Sequence, residues 1–181
     1  LRPDVCRTAG PFKDRIPDLD RSAWQPNYNA SKFGLTLNME LPRARAIAWK
    51  LIEWCDVLAE GYTPGVMARW GMDYESVSSV RPEIIYFSTC QQGQYGPHAD
   101  FRGYGNHAAA VAGMNHLMGW PDREPAAVFG AYTDFISPRF SAAAVIAALD
   151  FRRRTGKGQY IDIAQFEAGV TFLAPVIMDY T

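Results

Sequence analysis

One carboxylate in this sequence stands in surroundings unlike those of the others. Asp134 lies in residues 130–138, a stretch of small and aromatic residues directly before an apolar segment. Such neighbours remove water from a carboxyl group and change its acidity. The simplest interpretation is a helix N-cap or a surface-loop residue. A carboxylate beside glycine-rich turns can also attack an activated carbonyl as a covalent nucleophile, and position alone leaves both interpretations open.

A glycine pattern nearby indicates a different chemistry. Residues 103–108 read Gly-Tyr-Gly-Asn-His-Ala, which fits the Gly-x-Gly-x-x-Ala form of the dinucleotide-binding fingerprint. That fingerprint should follow directly after a strand, whereas the nearest predicted strand ends at Thr89. Because the pattern fits but its position does not, a nicotinamide enzyme is only an alternative hypothesis. A titration with dinucleotides would test it.

The histidines and cysteines carry weaker signals. His98, His107 and His116 are spaced so that no two share a helix face within one turn, so no metal site is predicted. Cys90 follows an apolar segment and could be a nucleophile, but free cysteines usually pack in the interior. The three cysteines form neither a disulfide framework nor a CxxC pair, which favours a reducing, cytoplasmic location.

Charge and hydropathy exclude several partners. With 18 basic and 19 acidic residues the net charge is -1, so no overall positive field exists to attract a nucleic acid. The apolar residues 142–149 fall short of the roughly 20 needed to cross a membrane. The chain begins without methionine and is still apolar where it stops, so we expect it to be part of a longer polypeptide.

The hydrophobic pattern alternates between strands and helices after a proline-rich beginning. The first thirty or so residues are predicted to be loop. Alternation of the two element types predicts an α/β fold with a parallel sheet flanked by helices. The predicted strands are 33–39, 57–59, 84–89 and 159–164, and the predicted helices are 42–55, 66–70, 73–80, 107–117, 139–152 and 166–178.

Several blocks in this order resemble one enzyme family. They are Asn-Ala-Ser-Lys at 29–32 with Leu-Thr-Leu at 35–37, the block at 55–67 ending in Thr-Pro-Gly-Val-Met, the continuation Arg-Trp-Gly-Met at 69–72, and the blocks at 81–86, 93–97 and 152–159. Together they resemble the class III coenzyme A-transferases, the group that includes formyl-CoA transferase, carnitine CoA-transferase and α-methylacyl-CoA racemase.

The resemblance implies a fold and an assembly. The expected fold is a Rossmann-like large domain plus a small domain, with two chains interlocked as a homodimer. Residues 1–181 would then be most of the N-terminal segment of the large CoA-binding domain, with the small domain and the C-terminal segment absent from this sequence.

The resemblance also gives Asp134 a role. Asp134 would attack an acyl-CoA to form an acyl-aspartyl anhydride, which CoA would convert into an aspartyl-CoA thioester before CoA passes to an acceptor carboxylic acid. CoA and acyl-CoA would be substrates, with no tightly bound cofactor and no metal.

The same match implies a CoA groove. Arg69 and Arg102 would contact phosphates, because guanidinium groups bind phosphate through paired hydrogen bonds. Gly61 stands where the family usually has asparagine, so the resemblance does not imply the polar contact to CoA that asparagine would make there. The implied groove residues are Leu37, Asn38, Met39, Glu40, Gly61, Tyr62, Thr63, Arg69, Arg102, Gly103, Tyr104 and Gly105.

The acceptor acid and the alternatives depend on few residues. Arg139, shortly after Asp134, could bind the second carboxylate of a dicarboxylic acid such as succinate. Aromatic residues at 120, 132 and 135 could instead suit an aromatic acid. The racemase branch resembles this sequence less, because it carries histidine and aspartate where Tyr104 and Gly105 stand. A CoA-binding fragment without turnover is the remaining alternative.

Overall fold

The computed structural model describes residues 3–181 and divides into two compact units. The smaller unit is Leu1–Asn38 and the larger is Met39–Thr181. Leu1 and Arg2, which belong to the predicted N-terminal loop, lie outside the described residues. Within residues 3–181, none of the helices combines the length and the apolar character needed to span a bilayer.

The smaller unit contains short helices where the sequence predicts only loop. Helix α1 is Val5–Thr8, and helix α2 is Trp24–Tyr28, with a 3₁₀ helix at Lys13–Arg15 between them. Asp4 begins α1 by accepting a hydrogen bond from the Cys6 amide at 2.7 Å. The loop prediction is wrong here because local caps such as this one form helical turns without any hydrophobic periodicity.

The segment 33–39 forms no strand in the described chain, which corrects a second prediction. Its alternating pattern is real, but Phe33 and Leu35 are exposed, at 105% and 62% of their maximal accessible area. Alternation predicts a strand only when a neighbouring strand supplies the ladder of backbone hydrogen bonds. Residues 33–38 belong to the smaller unit, whereas the sheet is built wholly from the larger one.

The larger unit alternates helices and strands as the pattern predicts. Its strands are β1 (Val57–Glu60), β2 (Ile85–Cys90) and β3 (Gln159–Ala164); its helices are α3 (Pro42–Trp54), α4 (Val66–Arg69), α5 (Tyr74–Val80), α6 (Gly105–Val111), α7 (Tyr132–Thr155), α8 (Gln165–Phe172) and α9 (Ala174–Tyr180), with a 3₁₀ helix at Met114–Leu117.

The three strands form one parallel sheet in the order β1-β2-β3. Central β2 is apolar and buried over its first residues, as expected of a strand covered on both faces. In the register, Glu60 lies opposite Ser88, and Ser88 lies opposite Asp162. The predicted α/β fold with a parallel sheet flanked by helices is confirmed.

Two apolar clusters hold the larger unit together. The first contains Ile52, Leu58, Met72, Val77, Ile84 and Tyr86, and the second contains Ala109, Met114 and Ile136. Tyr86 keeps its hydroxyl satisfied by donating to the Met72 carbonyl at 2.8 Å. Asp73 is the N-cap of α5, because its carboxylate accepts a hydrogen bond from the Ser76 amide at 2.9 Å.

Two predicted helices are interrupted in the structure. The helix predicted at 107–117 ends as α6 at Val111, because Gly113 adopts a left-handed conformation with φ of 89° before the 3₁₀ helix begins. The helix predicted at 166–178 breaks at Leu173, between α8 and α9. Pro175 explains this break, because proline lacks the amide that would continue α8 and its ring clashes with the preceding turn.

Gly158 controls the join between β2 and β3, and its replacement is expected to be strongly destabilising. A Cβ at Gly158 would stand 2.3 Å from the Ile84 carbonyl oxygen and 2.6 Å from that of Pro82. Both are backbone atoms, so relief requires the start of the two strands to separate. We expect Gly158→Ala to lower the free energy of unfolding by at least about 2 kcal/mol, measured by urea denaturation.

Gly61→Ala is the matched control for this measurement. A Cβ at Gly61 would be 3.6 Å from the nearest atom, the Thr89 carbonyl oxygen, which is an ordinary contact. Its effect should stay within about 0.5 kcal/mol. Equal unfolding midpoints for the two variants would contradict the assignment of Gly158 as a close-approach position.

Candidate active site

The loops that follow the strands meet at the C-terminal edge of the sheet. Gln94 fastens the loop after β2 to both neighbouring strands. Its side-chain amide donates to Glu60 Oε1 at 3.3 Å and to the Tyr62 carbonyl at 3.1 Å, and its backbone amide donates to Asp162 Oδ2 at 2.7 Å. Ligands of open parallel sheets bind at this edge, so the loops there are the first place to look for a site.

Asp134 lies in the first turn of α7, which corrects its predicted place in a loop or at an N-cap. The helix begins at Tyr132 rather than Arg139, and the Asp134 amide donates to the Ala131 carbonyl at 3.0 Å. Pro138 lies inside the helix and costs only the hydrogen bond to the Asp134 carbonyl, near the helix start. The positive end of the helix dipole therefore faces the carboxylate.

The Asp134 carboxyl group rests against Gly105, the first residue of α6. A Cβ built on Gly105 would be 2.7 Å from Asp134 Cγ, 2.8 Å from Oδ1 and 2.9 Å from Oδ2. The carboxylate therefore occupies the space that any other residue at position 105 would fill. Gly105 is required here for this close approach.

A hydrogen-bonded chain of uncharged side chains supports this contact. Thr133, which is fully buried, places its hydroxyl 2.8 Å from the Gly105 carbonyl oxygen and 3.2 Å from Gln165 Oε1. Gln91 Nε2 donates to the same Gln165 oxygen at 2.8 Å. The Gln165 side chain is close enough to the Asp134 carboxyl group to lower the pKa of that group.

The acidity of Asp134 reflects these neighbours. Loss of water around the carboxyl group raises its pKa above the usual aspartate value, and the hydrogen bond from Gln165 opposes that rise without cancelling it. The residue nevertheless keeps solvent access, since it lines an open pocket of about 460 Å³. That pocket is lined by Tyr104, Asn106, Ala127, Val128, Gly130, Ala131 and Asp134.

The two arginines that are predicted to bind the phosphates of CoA lie on exposed surface. Arg69 ends α4 in the region after β1, and Arg102 lies in the loop before α6. Within residues 3–181, neither guanidinium group takes part in a salt bridge. Both are thus available to an anionic ligand, and their role in binding CoA stays a prediction.

The other predicted groove residues lie in three places. Leu37 and Asn38 end the smaller unit, and Met39 and Glu40 begin the larger one. Gly61, Tyr62 and Thr63 follow β1, where the Tyr62 amide donates to Glu60 Oε2 at 2.8 Å. Gly103, Tyr104 and Gly105 precede or begin α6, and of these Tyr104 lines the pocket and Gly105 contacts Asp134.

The glycine pattern at 103–108 opens a helix without following a strand. Tyr104 is the N-cap of α6, and its amide donates to His107 Nδ1 at 3.0 Å. The loop 91–104 separates this pattern from β2, whereas the dinucleotide fingerprint needs a glycine turn directly after a strand. The geometry therefore does not support a nicotinamide site here.

Arg139 lies on the same helix as Asp134 but on a different side of it. Five residues of α-helix turn through about 500°, which leaves the two side chains about 140° apart around the axis. Arg139 is exposed and donates to the Phe135 carbonyl of its own helix. Arg139 is not among the residues that line the pocket in the described chain.

Other reactive groups are less suited to chemistry. Burial is the largest influence on Cys90 and raises the pKa of its thiol, which disfavours the nucleophilic thiolate. Among the residues the structure describes, no three His, Cys, Asp or Glu side chains are grouped so as to hold a metal ion.

Three residues of the site escaped the sequence analysis: Gln91, Thr133 and Gln165. Gln91 directly follows β2, and Gln165 directly follows β3. A polar residue just after a buried parallel strand is a usable signal, because binding groups collect at that edge of the sheet. Thr133 offers no such signal, since its burial depends on how α6 and α8 pack against α7.

Comparison with known proteins identifies the family of the chain. The model of the family described as CoA-transferase family III matches residues 1–181. An acetyl-CoA:oxalate CoA-transferase of Acetobacter aceti is 35% identical over 176 residues, which is 97% of this chain and 44% of that protein. A succinyl-CoA:glutarate CoA-transferase of Mus musculus is 36% identical over 152 residues, which is 84% of this chain and 35% of that protein.

A solved structure shares the fold of this chain. The structure of a CAIB/BAIF family protein from Brucella suis superposes with a TM-score of 0.88 at 33% identity, covering 98% of this chain and 47% of that one. The chain thus spans less than half the length of the relatives described here. Since a family model matches the whole of it, the chain belongs to CoA-transferase family III.

Proposed function

We propose that the protein containing this chain transfers CoA from an acyl-CoA to a carboxylic acid, with Asp134 as its nucleophile. The observation that carries this proposal is the seating of the Asp134 carboxyl group on Gly105, at the edge of an open pocket and at the start of a long helix. Family membership supports CoA transfer as the general reaction.

The first half of the reaction breaks one thioester and makes another. An Asp134 oxygen attacks the acyl carbonyl carbon and the carbon–sulfur bond breaks. CoA leaves as thiolate, and a mixed anhydride between the acyl group and Asp134 is formed. The thiolate then attacks the aspartyl carbonyl carbon and expels the donor acid as a carboxylate, which leaves an aspartyl-CoA thioester.

The second half reverses these steps with the acceptor. The acceptor carboxylate attacks the aspartyl carbonyl, CoA leaves as thiolate, and a new anhydride forms. Attack by the thiolate on the acceptor's carbonyl releases the new acyl-CoA and restores the Asp134 carboxylate. No electron or proton is gained or lost over the cycle, so the chemistry needs neither a redox cofactor nor an external base.

The environment of Asp134 suits this role. A carboxylate that has lost part of its hydration gives up less water when it attacks, and backbone amides near a helix start can stabilise the oxyanions that form. Arg69 and Arg102 are our proposed phosphate contacts for CoA, and the remaining predicted groove residues complete that proposal.

The acceptor is proposed to be a dicarboxylic acid. Relatives of this chain bear names that include oxalate and glutarate, which are both dicarboxylates. The preference draws no support from Arg139, which faces away from Asp134 on α7. The interlocked homodimer and the assignment of residues 1–181 to the large CoA-binding domain remain part of the same proposal.

Trapping of the acylated residue tests the function. The complete natural protein that contains this chain is incubated with succinyl-CoA and then with hydroxylamine, and its peptides are mapped by mass spectrometry. We expect a hydroxamate at Asp134, because hydroxylamine cleaves anhydrides and thioesters of aspartate.

Asp150, a partly exposed aspartate on the same helix, is the internal control and should stay unmodified. Hydroxamate spread over several carboxylates would indicate non-specific acylation and overturn the assignment. Bound CoA without any adduct would indicate a CoA-binding protein without this chemistry.

A further inference from the structure

Gln165 lies beside Asp134 through two neighbours: its side-chain oxygen is 3.2 Å from the Thr133 hydroxyl, which reaches the carbonyl of Gly105, the residue against which the Asp134 carboxyl group rests. It stands at the first position of α8, directly after β3, and reaches the start of α7 and the end of β2. Three segments that are distant in sequence therefore meet at one amide. Neither the family match nor any relative's name gives this residue a role.

The hydrogen bonds around Gln165 fix the orientation of its amide. Its oxygen accepts from Gln91 Nε2 at 2.8 Å, and the Thr133 hydroxyl lies 3.2 Å from the same oxygen. The amide nitrogen is therefore the end of this side chain that remains to donate, which agrees with the lowering of the Asp134 pKa by Gln165. The opposite orientation would point an oxygen at the carboxylate, and an ionised carboxylate can only accept hydrogen bonds.

The anchoring of Gln91 makes this orientation rigid. The Gln91 carbonyl accepts from the Phe166 amide at 3.1 Å, so the backbones at the ends of β2 and β3 are joined beside the two amides. The Thr133 hydroxyl also reaches the Gly105 carbonyl, on the residue against which the carboxylate rests. Gln165, which orients Asp134, and Gly105, which supports it, therefore belong to one hydrogen-bonded network.

We infer that Gln165 holds the Asp134 carboxyl group for attack, by donating an amide N–H to one oxygen while the other faces the substrate. This inference rests on the proposed function. In the later steps the same N–H would donate to the aspartyl carbonyl oxygen. When thiolate attacks the aspartyl carbon, the carbonyl electron pair moves onto that oxygen, and the N–H stabilises the resulting negative charge until the leaving group departs.

Two substitutions separate this role from simple packing. Gln165→Leu removes both donor and acceptor, while Gln165→Glu keeps the shape and the acceptor for Gln91 but replaces the donor with a negative charge. Gln92→Leu is the matched control, since Gln92 is a partly buried glutamine in the same loop as Gln91 and outside the network.

The first measurement needs no turnover. Aspartate carboxyl carbons are labelled with ¹³C in the complete protein, the Asp134 resonance is assigned by its absence in Asp134→Asn, and its ionisation is followed by NMR. We expect the pKa of Asp134 to rise in Gln165→Leu, because the anion loses a donor, and to rise further in Gln165→Glu, because a like charge is added. It should be unchanged in Gln92→Leu.

The second measurement is the rate of hydroxamate formation. Loss of a hydrogen bond to a charged group should slow acylation about 10- to 100-fold in Gln165→Leu at neutral pH. In Gln165→Glu, raising the pH should recover part of the rate as Asp134 ionises, and a purely structural defect would show no such recovery.

The outcomes distinguish the two proposals. If the wild-type protein forms no hydroxamate, the proposed function is contradicted. The NMR titration of Asp134 still decides in that case whether Gln165 acts on Asp134. If the wild-type protein is acylated and the Gln165 variants show the same acylation rate and the same Asp134 pKa, the role of Gln165 is overturned.

Discussion

Replacement of Asp134 by asparagine is expected to abolish acyl transfer and, at neutral pH, to stabilise the fold. The amide keeps the shape of the carboxyl group but cannot form an anhydride, so the rate of transfer should fall at least about 1,000-fold. Transfer is measured as acceptor acyl-CoA formed from succinyl-CoA in the complete natural protein.

The gain in stability follows from the raised pKa of Asp134. The folded protein binds this proton more tightly than the unfolded chain, so ionisation of the group costs stability. The cost is fully present above the folded-state pKa and vanishes as the pH falls below the unfolded-state value. Asparagine has no such cost, so the stability difference should be seen at neutral pH and disappear in acid.

Asp150→Asn makes the same change on the same helix and serves as the control. Asp150 is paired with Arg153 and Arg154, which lower its pKa, so its loss should slightly destabilise the protein at neutral pH and leave transfer intact. If Asp134→Asn kept its transfer activity, or lost stability as Asp150→Asn does, the assignment of Asp134 would be contradicted.

Gly105→Ala should remove most of the activity while leaving the fold intact. The new methyl group would lie within 2.9 Å of three atoms of the Asp134 carboxyl group, so that flexible side chain must swing away. A displacement of about 1 Å at a reacting group can cost about 100-fold in rate. We expect a loss of this size in hydroxamate formation.

The expected stability of Gly105→Ala makes the test selective. Alanine is favoured over glycine in a helix by up to about 1 kcal/mol, which offsets the modest cost of moving one exposed side chain. Gly34→Ala is the control, because no atom lies within 4 Å of a Cβ at that position. Unchanged acylation in Gly105→Ala would show that the carboxylate need not rest where the structure places it.

The sequence predicts the three strands of the sheet well because their signals are local, whereas the predicted strand at 33–39 found no neighbouring strand to pair with. The apolar, β-rich run of β2 and the spacing of α3 each reflect burial on a known side, and both elements appear where the pattern puts them. The beginning of α7 was missed for a physical reason. Residues 132–138 lack helical periodicity and include Pro138, and Thr133 and Ile136 become buried only through packing with other elements.

The same distinction between local signals and packing applies to the site. Asp134 can be selected from its neighbours in the chain and from the family resemblance. Its contact with Gly105 and its link to Gln165 depend on α6, α7 and α8 coming together, which no single segment encodes. Arg139 illustrates the opposite error, since closeness in sequence on a helix does not place two side chains on one side.

The partial loss of water around Asp134 also has a consequence for how long the proposed acylated intermediate lasts. Every residue that lines the pocket apart from Asp134 is uncharged, so no neighbouring cation in that lining compensates the partly dehydrated anion. Binding a proton relieves this penalty, and so does bonding to an acyl group, because both convert the anion into a neutral species. The surroundings that make Asp134 a weaker acid should therefore shift the equilibrium toward the covalent intermediate and let it accumulate between the two halves of the reaction.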